Sequence, residues 1–227
     1  MENVPIISII GSRCRPDEEV KFNRWYSDVH IPMLLKYEGL TAVERYKVLT
    51  ETPEYPTYWA IYHYDNLRAY DDRQKSPSLL AEVQKDMKAT WPNGLDIRWR
   101  VSYLEHKKWS TSRAVSLSPN TVIHVVGVNG PAPEKDAEFN EWYDNTHVPW
   151  LMKTGTIAES IRYRITQESK DYPAYLAVYY FENPKAFEAF SNHPERLAAI
   201  KELDEHWPNG IGRMWWVQYQ LIKGWKR

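Results

Sequence analysis

Two stretches of the chain, FNRWYSDVHIP from Phe22 to Pro32 and FNEWYDNTHVP from Phe139 to Pro149, each set a tyrosine four residues before a histidine. Imidazole is the side chain whose free pKa lies nearest neutrality, so His30 and His147 are candidate general acid–base groups. Four-residue spacing on a helix brings Tyr26 to His30 and Tyr143 to His147, where a phenol can stabilise an oxyanion. Of the seven histidines, only these two correspond when the stretches are superposed. A structural role stays open beside the catalytic one. His-x-Pro would close a helix, its ring capping the last carbonyls or lying against Trp25, with the proline expected to end the helix. Trp25, Trp142, Asn23 and Asn140 complete the repeated motif and are candidate substrate contacts.

Further candidates lie outside the motif. Arg45-Tyr46 and Arg162-Tyr163 occupy matching places, and alternation along a strand lets only one of each pair face a barrel interior. An interior arginine would suit a carboxylate, enolate or phenolate oxygen, whereas an exterior one is merely solvated. Tyr62 and Tyr179 belong to strand faces where alanine sits between aromatics, leaving room for a ligand or for a helix. His124 stands mid-strand where the other copy has Ser8, and a buried histidine there needs a hydrogen-bond partner. It is either a satisfied core histidine or a catalytic one. The two WPNG stretches read as a helix stop and turn, with ligand contact by Asn93 or Asn209 as the lesser alternative.

These residues are positioned by a duplication. Phe139 lies 117 residues after Phe22, and the same offset aligns RYKV with RYRI and EYPTYWAIYHY with DYPAYLAVYYF. Trp207 lies 116 residues after Trp91, so one residue is lost inside the helix before it. Each copy reads as an apolar β-branched strand ending in glycine, then a helix opened by proline and acids. Two strands, a second helix and a final strand follow. On the first helix Phe22, Tyr26, Val29 and Met33 fall at helical spacing and predict one buried stripe. The second helix offers Leu80, Val83, Met87 and Trp91. The order βαββαβ is the ferredoxin-like unit. Its bare sheet face would be an exposed apolar patch, which two copies packed face to face would remove. The expected fold is α+β: two tandem repeats, 1–112 and 113–227, packed sheet to sheet as an α+β barrel and joined near STSRAVSLSPN.

Bulk composition narrows the class. With 29 basic and 30 acidic side chains in 227 residues, no strongly basic face is expected and a nucleic-acid partner is disfavoured. PIISII is too short for a membrane span or a signal-peptide core, so the chain reads as a cytoplasmic protein. A single cysteine, Cys14, excludes an internal disulfide framework and a Cys-based zinc cluster. No metal-ligand spacing, phosphate loop or G-x-S-x-G elbow is written. The 11 Trp and 16 Tyr suit a cavity for a flat, partly apolar ligand, and suit core packing nearly as well.

The βαββαβ half carrying FNxWYxxxHxP resembles the EthD-like branch of the dimeric α+β barrel superfamily, as a fused pair. The resemblance covers both halves, although only the helix motif is specific. It implies a site between the sheets without naming the reaction, since the superfamily holds cofactor-free monooxygenases, isomerases, cyclases, dehydratases and haem enzymes. The leading expectation is a cofactor-independent lyase, dehydratase or isomerase acting on a small aromatic or cyclic carbonyl compound. His30 or His147 would move the proton, and Tyr26 or Tyr143 with an arginine would stabilise the oxyanion. The alternatives are a haem enzyme liganded by His147, His193 or His206, a cofactor-free monooxygenase, and a non-catalytic small-molecule binder. Pairing of fused barrels into a homodimer is left open.

Overall fold

The computed structural model describes residues 3–91, 94–111 and 116–227. Asn93 and the middle of the expected join, residues 112–115, lie outside the described residues. The fold is mixed α+β, with eight strands among the described residues. No helix among the described residues is long and apolar enough to cross a membrane.

The chain divides into two compact units, Met1–Leu104 with Ile222–Arg227 and Glu105–Leu221. In the first unit the strands are β1 (Ile6–Arg13), β2 (Leu40–Val48), β3 (Tyr58–Tyr64) and the larger part of β4 (Asp96–Ser110). β1 pairs antiparallel with both β3 and β4, and β2 pairs with β3. The helices are α1 (Glu19–Trp25), α2 (Ile31–Leu34), α3 (Leu67–Gln74) and α4 (Pro77–Thr90). Phe22, Trp25 and Tyr26 pack on Val43, Tyr58, Ala60 and Tyr62 of the sheet. The alanine between tyrosines therefore admits a helix. From α4 it is Leu79, with Val83 and Met87, that packs on this core.

The second unit repeats the plan with β5 (Val122–Val128), β6 (Glu159–Ile165), β7 (Tyr175–Phe181) and β8 (Arg213–Lys226). β5 pairs with β7 and β8, and β6 with β7. Its helices are α5 (Asp136–Trp142), α6 (Val148–Met152), α7 (Pro184–Ser191) and α8 (Pro194–His206).

The expected stripe on the first helix is corrected at one position. Val29 is 47% exposed and His30 only 7%. The cause is a single π-helical turn, Tyr26–His30, between α1 and α2, matched by Tyr143–His147 between α5 and α6. The extra residue rotates the helix, so histidine takes the inward place that α-helical spacing gives to Val29. Ile31 N–H donates to the Tyr26 carbonyl, and the helix runs on through Pro32 to Leu34. Proline does not end it, because the π turn absorbs the backbone donor that proline lacks.

The strand-ending glycines have a physical reason of their own. A Cβ on Gly127 would sit 2.6 Å from Pro173 Cγ and 3.0 Å from Trp215 Cβ, and one on Gly11 would meet Pro56 and Trp99 at the same distances. Gly127→Ala is therefore expected to destabilise the protein by about 1–3 kcal/mol, as overpacking does. Urea unfolding should show a lower midpoint at unchanged slope. A midpoint equal to that of the wild type would mean the proline ring yields.

Candidate functional site

The repeated motif divides among residues that pack, residues that tie helix to sheet and residues that reach a cavity. Phe22 and Phe139 are fully buried core residues. Asn23 accepts from Arg45 Nη2 at 2.9 Å and donates to Tyr58 Oη at 3.3 Å. Asn140 does the same for Arg162 at 2.9 Å and Tyr175 at 3.0 Å. The motif asparagines thus tie helix to strand. Trp25 donates its indole N–H to Asp86 at 3.0 Å and Trp142 donates to Glu202 at 2.8 Å, which ties the first helix to the last.

Arg45 and Arg162 are each 1% exposed, beneath the helices rather than in solvent. Their guanidinium groups lie 4.3 Å from the Tyr26 ring and 4.2 Å from the Tyr143 ring. Arg162 also bonds Asp144, whose other oxygen is held by His106 at 2.9 Å. Neither arginine lines the cavity beside its histidine. The two tyrosines of each unit meet through their hydroxyls, Tyr26 with Tyr62 at 2.8 Å and Tyr143 with Tyr179 at 3.3 Å.

Each histidine lies against its tryptophan, centroids 4.6 Å apart for Trp25–His30 and 4.9 Å for Trp142–His147. Tyrosine meets it edge-on at 5.1 Å and 5.0 Å. In both, Nδ1 is buried without a hydrogen-bond partner among the described residues. Asp86 stands 3.8 Å from His30 Nδ1, too far to bond it. Burial first, then Arg73 and Arg45, lowers His30 to about 4. Burial first, then Arg162, lowers His147 to about 3. Both rings are neutral at pH 7.

The cavities beside them differ. In the second unit a space of 560 Å³ opens between sheet and helices, lined by His124, Tyr143, His147, Tyr179, Arg196 and Trp216, with Arg213 and Asp204 also on its wall. The corresponding space in the first unit is 140 Å³. A cavity of the larger size lies in the range that holds drug-sized ligands. His124 is fully enclosed, 4.4 Å from the Trp216 ring. Its Nδ1 lies 2.8 Å from Gln218 Nε2. An amide nitrogen can only donate, so Nδ1 is the acceptor and the ring proton sits on Nε2. Burial, then Arg196, lowers His124 to about 3.

The sequence reading missed Arg196, Arg213, Trp216 and Gln218. The signal was the duplication itself. Arg100 stands where the second copy has Trp216, Ile97 where it has Arg213, and Leu79 where it has Arg196. Ser8 is paired across the sheet with Ser102, as His124 is with Gln218. Histidine and its partner therefore changed together.

Of the other histidines proposed as iron ligands, His193 caps α8, its Nδ1 accepting from Glu195 N–H at 3.2 Å. His206 lies 5.5 Å from the Trp142 ring and borders a separate pocket with Asn209. A histidine on iron ordinarily donates its second ring N–H to an acceptor, and His147 Nδ1 has none. His124 carries its proton on the nitrogen that would have to bind. The residues lining this cavity do not fit a haem ligand set.

A domain of unknown function, DUF4286, matches residues 132–209. No curated protein matches the sequence. Among solved structures, a candidate monooxygenase from Fusobacterium nucleatum superposes with a TM-score of 0.71 at 13% identity, covering 100% of this chain and 96% of that one. An anthrone oxidase-like protein gives 0.68 at 11% identity over 99% and 94% of the two chains. A chlorite dismutase variant from Candidatus Nitrospira defluvii gives 0.63 at 12% over 98% and 93%. At these identities the likeness establishes the fold alone, an α+β barrel.

Proposed function

We propose that the chain is a cofactor-independent enzyme of the EthD-like type, with its active site in the cavity of the second unit. His147 removes a proton from carbon next to a carbonyl or aromatic ring. The observation that carries this reading is a neutral imidazole on the wall of a 560 Å³ cavity, its Nδ1 buried and unpartnered. Its aromatic wall suits a flat aromatic or cyclic carbonyl compound. The low pKa of the free ring reflects desolvation, and the enolate formed by the reaction supplies the countercharge that stabilises imidazolium. Tyr143 and Tyr179 offer hydroxyls for the substrate oxygen.

Arg196 takes the part that the sequence reading gave to Arg162. Its Nη1 donates to the Ser191 carbonyl at 2.8 Å, and no carboxylate pairs with it among the described residues. Its charge is left to balance an enolate or phenolate. Arg196→Gln is expected to lower kcat/KM about 10- to 100-fold, matching ~1.5–3 kcal/mol for a charge-assisted hydrogen bond. An unchanged kcat/KM would remove Arg196 from the site.

The names of the oxidase-like and monooxygenase neighbours favour dioxygen as the carbanion's partner. In such a reaction the CH₂ of an anthrone and one O₂ give the quinone carbonyl and water. Two readouts test the proposal with anthrone and a cyclic 1,3-dicarbonyl as probes. They are solvent deuterium uptake at the acidic carbon, followed by NMR, and quinone formation in air, followed by absorbance. Exchange faster than in buffer and dependent on His147 supports it. Exchange no faster than in buffer for both probes makes the chain a binder.

A further inference from the structure

We propose that the cavity of the first unit is a separate binding site for a small oxyanion, a short carboxylate or a phosphate-like group. Its wall carries two arginines, Arg73 and Arg100, beside Ser8, Ser12, His30 and Tyr26, and it carries no acidic side chain. Arg73 Nε is buried without a hydrogen-bond partner among the described residues. A buried donor left unsatisfied costs about 1–3 kcal/mol, more when charged, so a site that keeps one is missing its acceptor. A guanidinium presents a planar fork that carboxylates and phosphates fill with two parallel bonds. Low-dielectric walls concentrate the field of the Arg73 guanidinium.

Size selects the ligand. At 140 Å³ the cavity holds about four to five water-sized volumes, enough for an anion of that many heavy atoms and too little for a fused aromatic ring system. The duplication shows the opposite choice in its other copy. Where the first unit has Arg73 and Arg100, the second has Phe190 and Trp216, both lining the larger cavity. The field of Arg73 already reaches this interior, since it helps hold His30 neutral. The two copies thus divide the ligand classes, an aromatic body in one and a compact anion in the other.

Calorimetry on the full chain, at ionic strength held constant with chloride, tests the site with sodium phosphate, sulfate, formate and acetate. Trp25 borders the cavity, so its fluorescence gives a second readout. Expected is one saturable site for at least one oxyanion, with the preferred probe separating phosphate-like from carboxylate ligands. Arg73→Gln should weaken it about tenfold or more, the share of a charge-assisted bond. Arg73→Lys keeps the charge but loses the fork, and should weaken it too; it serves if the glutamine variant fails to fold. Arg196→Gln, in the other unit, should leave the affinity as it is. Absence of saturable binding in the wild type, wild-type affinity in both Arg73 variants, or loss in Arg196→Gln alone would overturn the assignment. None of these outcomes depends on turnover at His147.

Discussion

Replacing His147 with glutamine is expected to lower turnover by about 10²–10⁴-fold, the usual contribution of a positioned acid–base group, while leaving the fold no less stable. The second half of that expectation comes from the ring's own surroundings. Its Nδ1 is buried and has no hydrogen-bond partner among the described residues, a state that costs about 1–3 kcal/mol. A fold would not retain such a ring for its packing alone. His147→Phe removes the orphaned nitrogen and has adjoining cavity space for the larger ring, so it should melt at the wild-type temperature or above while turnover is lost. Function and stability then move in opposite directions, as at sites where binding chemistry is kept at the expense of packing. His30→Gln should leave turnover little changed, because its 140 Å³ cavity is a quarter the size of the 560 Å³ one. A base with a free-enzyme pKa of about 3 also gives kcat/KM no acidic limb between pH 8 and 5. Should His147→Gln instead melt lower and keep its turnover per folded molecule, His147 is a packing residue and the mechanism fails.

The duplication made the fold legible. Strand order, helix placement and the α+β class all follow from hydrophobic period and turn residues read twice, and two copies agreeing is a stronger signal than either alone. What the period hid was the π turn. Spacing of 3.6 residues assigns Val29 to the core and leaves His30 beside it, and only the extra residue at Tyr26–His30 reverses them. Pro32 was the available sign, because a proline inside a continuing helix needs a backbone accommodation.

The site was legible where the copies agree and obscure where they differ. Agreement picked out His147 and Tyr143, which do line the cavity, but it also picked out Asn140, Trp142 and Arg162, which hold the scaffold. A shared residue reports what both units need, and both need their helices tied to their sheets. What distinguishes the larger cavity is residues present in one copy alone, such as Arg196, Arg213 and Trp216. His124 was visible by the same comparison, and its partner Gln218 could have been found through strand pairing with the position of Ser102.

The three buried imidazoles should make stability begin to fall in acid above the range where carboxylates titrate. Burial lowers His30 to about 4 and both His124 and His147 to about 3. The free side chain titrates near 6.5. Below that pH the unfolded chain binds three protons that the folded chain refuses, so stability is complete above about 6.5 and falls as pH drops toward 4. Each group contributes about 1.36 kcal/mol per pH unit, and three give about 4 kcal/mol per unit once the unfolded histidines are charged. Domain stabilities run to about 5–15 kcal/mol, so a loss of that steepness unfolds the protein within two or three units. One buried and one half-buried carboxyl act lower on the scale. Burial raises Glu44, but His63 and Tyr46 outweigh it, and burial raises Asp144, but His106 and Arg162 outweigh it. Both end below their ordinary values, so their stabilisation is lost only as pH falls beneath about 4.5. Urea unfolding at successive pH values between 6.5 and 4.5 isolates the histidines. The slope should approach three protons, and each of His30→Gln, His124→Gln and His147→Gln should remove one. A slope of one proton or less in the wild type would show that these rings charge inside the folded protein, and neutral imidazole would cease to be the resting state of the site.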